Sequence, residues 1–184
     1  MASDSERRAQ FEAVAATVYE PLQRYLRRRA PSDDASALLN DTLLVMWRRL
    51  DDVPIDDPIP WSFGVAKRCL ANHRRGENRR LRLVGKITAY SQAIEPFEDP
   101  SLSDHHNPGL TAALGELDEV ERELIRLWAW EQLEPREIAV VLDTTSNAVS
   151  VRLSRAKKKI EIALARQNAA IGGHGAGGHG MELW

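Results

Sequence analysis

The 184-residue chain has little that could cross-link it and nothing patterned to cross a bilayer. Its one cysteine, Cys69, excludes a disulfide framework within the chain, which suits a reducing compartment. No apolar run approaches the ~18 residues of a membrane span. The first residues, MASDSERRAQFEAVAATVYE, are charged throughout and lack the apolar core of a signal peptide. The expectation is a soluble, cytoplasmic protein with no membrane span. Strand-like alternation flanked by turn signals is missing along the whole length, so no sheet is expected. The equipment of an enzyme is missing as well: convergent acids, a His/Cys metal set, or a nucleophile beside its base. The one dense carboxylate group, Asp51, Asp52, Asp56 and Asp57, lies in the Pro-rich DDVPIDDPIP, where a solvated loop is the plainer reading. His174 and His179 sit on a Gly-rich tail whose ordering would cost too much entropy for a metal site, and His105-His106 is read the same way. No cofactor, metal or catalysis is expected.

What remains is an ordinary globular balance, 43% hydrophobic and 28% charged. The net charge of −2 argues by itself against a polyanion partner. Its distribution argues the other way. Residues 67–86 hold eight Lys/Arg against one acid, and residues 146–166 hold six against one. Between them, residues 87–117 hold five acids and no Lys or Arg. Local fields decide which surface meets a phosphate backbone, so two basic stretches separated by an acidic connector outweigh the total.

Helical periodicity dominates. RAQFEAVAATVYEPLQRYLRRR puts Phe11, Val14, Val18, Leu22, Tyr25 and Leu26 on one stripe, with a kink or break expected at Pro21. Pro31-Ser32-Asp33-Asp34 signals a helix start with Ser and Asp available as caps. The helix that follows is apolar on more than one side, and DDVPIDDPIP interrupts it as a loop. A further helix begins at Trp61 and turns basic towards its end. Residues 87–109 lose periodicity and read as a flexible acidic linker. From Leu110 a face of Leu114, Leu117, Val120, Leu124, Leu127 and Trp128 returns. The tail from residue 167 is Gly- and His-rich and expected to be disordered. The fold class is all-α: two small helical domains, 8–86 and 110–166, joined by the linker.

In PREIAVVLDTTSNAVSVRLSRA a short helix, a four-residue turn and a second helix have helix-turn-helix spacing. Ile138, Val141 and Leu142 are placed to pack on Val149 and Leu153, with the small Ala139 at the closest approach. Thr145, Ser146, Asn147 and Ser150 then fall at the exposed start of the second helix, the part that reaches base edges. Arg152, Arg155, Lys157, Lys158 and Lys159 follow along it towards phosphates. A helical hairpin with a solvated basic face satisfies the same pattern. The second constellation, WSFGVAKRCLANHRRGENRR, sets Trp61 and Phe63 ahead of a cation cluster, a combination suited to unpaired strands. Its plainer reading makes Trp61 a core anchor and the arginines a solubilising end.

Taken in order, DDASALLNDTLLVMWRRL, WSFGVAKRCLANHRR, the acidic linker and ALGELDEVERELIRLWAWEQLEPREIAVVLDTTSNAVSVRLSRAKKKI resemble the extracytoplasmic-function sigma factors of bacterial RNA polymerase, over roughly residues 8–165. The resemblance implies that the chain directs core polymerase to promoters. Under it Leu38, Leu39, Asp41, Leu44, Trp47 and Arg48 dock on the clamp of the largest subunit, and the flap is a second contact. Trp61, Lys67, Arg68, Arg74 and Arg75 capture and unpair the minus-10 element. Thr145, Ser146, Asn147, Ser150, Arg152, Arg155 and Lys157 read the minus-35 element. Promoter DNA and an anti-sigma factor are the further partners it implies. The chain departs from the family at Ser36 and Ala37, where two acids are usual, at Ser62, Arg68 and Asn72, and at Asp118, where Asp can replace a helix-opening Pro as a cap. The alternative is a helix-turn-helix regulator that acts without polymerase, which would leave the block at 33–75 without a purpose.

Overall fold

The computed structural model describes residues 4–87 and 108–172. These form seven α-helices: α1 Asp4–Arg27, α2 Ser32–Arg48, α3 Pro58–Ile87, α4 Pro108–Gly115, α5 Glu119–Ala129, α6 Pro135–Leu142 and α7 Ser146–Gly172. No strand occurs among the described residues, in agreement with the all-α reading.

α1, α2 and α3 make the first unit. α1 buries Val14, Val18, Leu22, Tyr25 and Leu26, as its stripe predicts. It does not break at Pro21 but runs through it as a single helix. An interior Pro costs about 3 kcal/mol, and burying Val18, Leu22 and Tyr25 around it offsets that at roughly 1.5–3 kcal/mol for each aliphatic side chain. The expected side-chain caps of α2 are also absent. Pro31 occupies the capping position without a side-chain bond, and Asp33 and Asp34 instead lie in the first turn, where they face the positive end of the helix dipole. A 3₁₀ turn, Leu50–Asp52, leads out of α2. α3 starts at Pro58, three residues earlier than the Trp61 expected, because Pro suits a first turn where its missing N–H is not needed. It continues through Gly76 to Ile87.

α4 to α7 make the second unit. Asp118 caps α5 in a reciprocal box: its Oδ1 accepts from the Glu121 N–H at 2.8 Å, and Glu121 Oε2 accepts from the Asp118 N–H at 3.2 Å. Leu114, Leu117, Leu124 and Leu127 are buried as predicted. Val120 and Trp128 are not; both stand more than 40% exposed. Val120 lines a cleft between the units, and Trp128 carries the Lys157 ammonium 3.4 Å from its ring centroid. α7 buries Val149, Leu153, Ala156 and Ala163 against α4, α5 and α6. It extends to Gly172, so the boundary expected at residue 166 falls inside a helix. His105, His106, His174 and His179 lie outside the described residues.

Two separate domains on a flexible linker were expected, yet the units pack on each other. One hydrophobic core runs through both, from Val14 on α1 to Ala156 on α7. α3 lies along α6, and a Cβ added to Gly64 would sit 3.7 Å from the carbonyl oxygens of Val140 and Val141. Beside this apolar seam, Arg29 of α1's end reaches Glu131 at 2.9 Å and Glu123 at 3.2 Å, and Arg28 reaches Glu131 at 3.1 Å.

Candidate nucleic-acid interface

The helix-turn-helix is built by local chemistry that the sequence carries openly. α6 opens with Pro135 in its first turn, and Glu137 reaches back to the Glu134 N–H at 2.6 Å. It closes on Asp143, which takes the left-handed conformation at φ 54° and ψ 54°, tolerable for Asp. The Thr144 N–H then returns to the Ala139 carbonyl at 3.0 Å. Ala139 is nearly buried at this point, where a larger side chain would obstruct the turn. Ile138 and Val141 on α6 and Val149 and Leu153 on α7 are buried in the shared core, with Leu142 half-buried beside them.

At the start of α7, Ser146, Asn147 and Ser150 face solvent, and Arg152 and Arg155 follow, exposed and with no acidic partner among the described residues. Two of the expected base readers are committed to their own helix. Thr145 Oγ1 accepts from the Ala148 N–H at 3.2 Å as the cap of α7, and Ser150 Oγ donates to the Ser146 carbonyl at 2.9 Å. The cations beyond divide between two faces. Lys157 lies on the Trp128 ring and Lys159 pairs with Glu121, so both turn towards α5 instead of outward, whereas Lys158 is exposed. Asn147, Arg152 and Arg155 are the freest readers of the set.

On α3, Trp61 is half-buried at the margin of the core with the Arg49 guanidinium 5.6 Å from its ring centroid. Phe63 is buried and stacks on Tyr25 at 4.7 Å between centroids, which makes it a core residue and not a stacking platform. Lys67 and Arg74 face a cleft of about 490 Å³ between the two units, together with Arg152 and Asp143 from the second. Arg68 is exposed and lies 3.9 Å from Asp143. Arg74 donates to the Arg29 carbonyl at 3.1 Å, and Arg75 holds Asn72 on the same helix. On α2, Leu38 and Leu39 are buried and hold the helix to the core instead of facing a partner. Asp41, Leu44 and Arg48 form the outer face, a three- and four-residue spacing on one side of the helix. Trp47 is half-buried between Phe11, edge-on at 5.3 Å, and the Arg7 guanidinium at 5.4 Å.

Residues 109–160, which contain this helix-turn-helix, match the family described as sigma-70, region 4. The chain is 28% identical over 143 residues to the RNA polymerase sigma factor NccH of Alcaligenes xylosoxydans xylosoxydans, covering 71% of this chain and 73% of that one. It is 27% identical over 143 residues to the sigma factor CnrH of Cupriavidus metallidurans, covering 73% and 75%. The chain belongs to the sigma-70 family. Its fold is that of sigma factors already solved. The CnrH structure in complex with the cytosolic domain of CnrY superposes with a TM-score of 0.57 at 23% identity, over 89% of this chain and 99% of that one. RpoE of Bartonella quintana, solved with the anti-sigma factor NepR, gives 0.59 at 20% identity over 84% and 96%.

Sequence reasoning missed the charge cluster between the units of this sigma-family chain. The Arg29 side chain is 3% exposed and that of Glu131 4%, so the pair is shielded from water. Burial disfavours the Arg29 cation, but the neighbouring Tyr25, Glu123 and Glu131 more than compensate and hold it charged. The run Arg27-Arg28-Arg29 looks like a solvated helix end, and nothing local marks its last member as buried. No helix among the described residues is long and apolar enough to cross a membrane.

Proposed function

We propose that the chain is an alternative sigma factor that brings core RNA polymerase to a particular set of promoters and stabilises the opened strand there. The observation that carries this reading is the pairing, on one chain, of an α6–α7 helix-turn-helix with an outward polar and cationic start and an α2–α3 unit whose basic helix follows a Trp. The sequence relatives span both halves, which a helix-turn-helix regulator working alone would not require. The chain contributes binding and strand capture, and the polymerase does the chemistry, in the cytoplasm where both reside.

In this reading residues 8–86 bind polymerase and the minus-10 element, 87–109 connect, and 110–166 read the minus-35 element. Asp41, Leu44 and Arg48 on the outer face of α2 meet the clamp, with Trp47 and its Phe11 and Arg7 neighbours bracing that face. Trp61, Lys67, Arg68, Arg74 and Arg75 take the minus-10 strand. Asn147, Ser146, Arg152 and Arg155 dock in the minus-35 groove, where cations set affinity and polar tips set sequence. An anti-sigma factor fits as regulator, since the related CnrH and RpoE were solved with CnrY and NepR bound. The test is run-off transcription with core polymerase on a promoter library. Start sites that move when the protein is added support the reading; unchanged start sites refute it.

A further inference from the structure

The polar contacts described between the units run in one direction. Arg28 donates to Glu131 at 3.1 Å and to the Trp130 carbonyl at 3.5 Å; Arg29 donates to Glu131 at 2.9 Å and Glu123 at 3.2 Å. Tyr25 donates its hydroxyl to Glu123 at 3.5 Å, and Arg68 faces Asp143 at 3.9 Å. In every case the first unit supplies the donor and the second the anionic or carbonyl oxygen. The first unit thus presents a cationic face, and the second fills it with carboxylates.

That face is continuous with the basic helix. The Arg29 carbonyl accepts from Arg74, which ties the end of α1 to the stretch of α3 bearing Lys67 and Arg68. Guanidinium forks suit oxygen pairs, in carboxylate or phosphate alike. The carboxylates fill the face incompletely, because the buried Arg29 Nε has no acceptor in the protein. A face of this kind, running along a helix already assigned to a DNA strand, fits a sugar-phosphate backbone better than an isolated acidic side chain.

We propose that Glu123, Glu131 and Asp143 act as an internal substitute for phosphates, covering on the first unit a nucleic-acid surface that includes Arg28 and Arg29 as well as Arg68. The inference rests on the sigma-factor reading for the role of α3 and adds the end of α1 to the strand-binding surface. It also makes closure and nucleic-acid binding mutually exclusive. The closed chain loses affinity in proportion to the fraction of molecules that are open.

The test uses the full chain without polymerase, a fluorescent single-stranded 20-mer of arbitrary sequence, and anisotropy titration, with small-angle scattering to report separation of the units. The Glu123→Gln/Glu131→Gln double variant should expand the chain and tighten binding about tenfold, the gain expected if about nine tenths of the wild-type molecules are closed. Adding Arg28→Gln and Arg29→Gln should remove most of that gain. Expansion without tighter binding, tighter binding that survives loss of both arginines, or no expansion at all would overturn the proposal. Should circular dichroism show the double variant to be unfolded, Asp143→Asn decides, because that exposed site keeps a residue able to adopt the left-handed turn. It should tighten binding measurably, and an unchanged affinity overturns the proposal. Run-off transcription with core polymerase separates the two conclusions: redirected starts with unresponsive anisotropy reject this inference alone, and responsive anisotropy without redirected starts rejects the function alone.

Discussion

Gly64 on α3 faces the backbone of Val141 on α6, and a Cβ built on it would lie 3.8 Å from the Val141 Cα. That distance is ordinary van der Waals contact, so the seam between the units admits a methyl group and nothing larger. Gly64→Ala should therefore keep the units closed and raise stability by about 0.5–1 kcal/mol, the usual gain of Ala over Gly inside a helix. Gly64→Leu should push α6 away and expand the chain. Urea denaturation measures the first effect and small-angle scattering the second; a Leu variant with unchanged dimensions would mean that the seam is not the closing contact.

How much of this could be read from the sequence depended on how local each signal was. The α1 stripe, the Asp118 cap and the Asp-Thr-Thr-Ser turn rest on residues within one or two helical turns of each other, and the structure reproduces them. Leu38 and Leu39 carried an ambiguous signal, because α2 is apolar on more than one side and periodicity alone does not say which side meets a partner. Trp128 looked like core because its spacing fits the stripe, yet its ring is shared between solvent and Lys157. The Arg29–Glu131 pair spans 102 positions, and the Gly64 seam joins helices separated by the acidic connector. Charges and a glycine at such separations leave no periodic trace, so the closed arrangement of the two units had to come from the structure.

Tyr25 makes the closed arrangement sensitive to alkali. Burial pushes its phenol well above the ordinary ~10; the Arg29 cation opposes this, while Glu123 and Glu131 reinforce it. The folded chain keeps the phenol neutral where the unfolded chain ionises it. Its contribution to stability is complete below about pH 10 and is lost as the pH rises beyond that value. Between about pH 8 and about pH 11 the wild type should lose more stability than Tyr25→Phe. Parallel urea midpoints for the two proteins across that range would show that the phenol is not held neutral by the fold.

The start of α7 separates capping from reading. Thr145→Ala should cost about 1 kcal/mol of stability through the lost cap, and Thr145→Ser should restore it. Asn147→Ala should leave stability unchanged and alter base preference in the minus-35 element. Arg152→Ala should weaken binding to all sequences alike and lower the salt slope of the polymerase-bound protein by about one. Competition binding over a randomised minus-35 library at two salt concentrations resolves all three. A uniform loss for Asn147→Ala, or a sequence-dependent one for Arg152→Ala, would reverse the assigned roles.

Trp61 is the hardest residue to assign, because it borders the core and stands at the head of the basic helix. A structural anchor and a base-stacking platform make different demands on the ring. Trp61→Phe keeps an apolar aromatic of smaller size, so it should retain most of the stability and part of the stacking. Trp61→Ala should lose both, with stacking worth about 1–3 kcal/mol per base. If the indole contacts the opened strand, permanganate reactivity of promoter thymines should fall in the order wild type, Phe, Ala, while polymerase affinity changes little. If Trp61 only fills the core, reactivity should follow the thermal stability of each variant instead, and both should recover together on cooling. Measuring footprints and melting on the same variants at two temperatures distinguishes these outcomes, since a lost stacking contact persists at a temperature where all three proteins are folded.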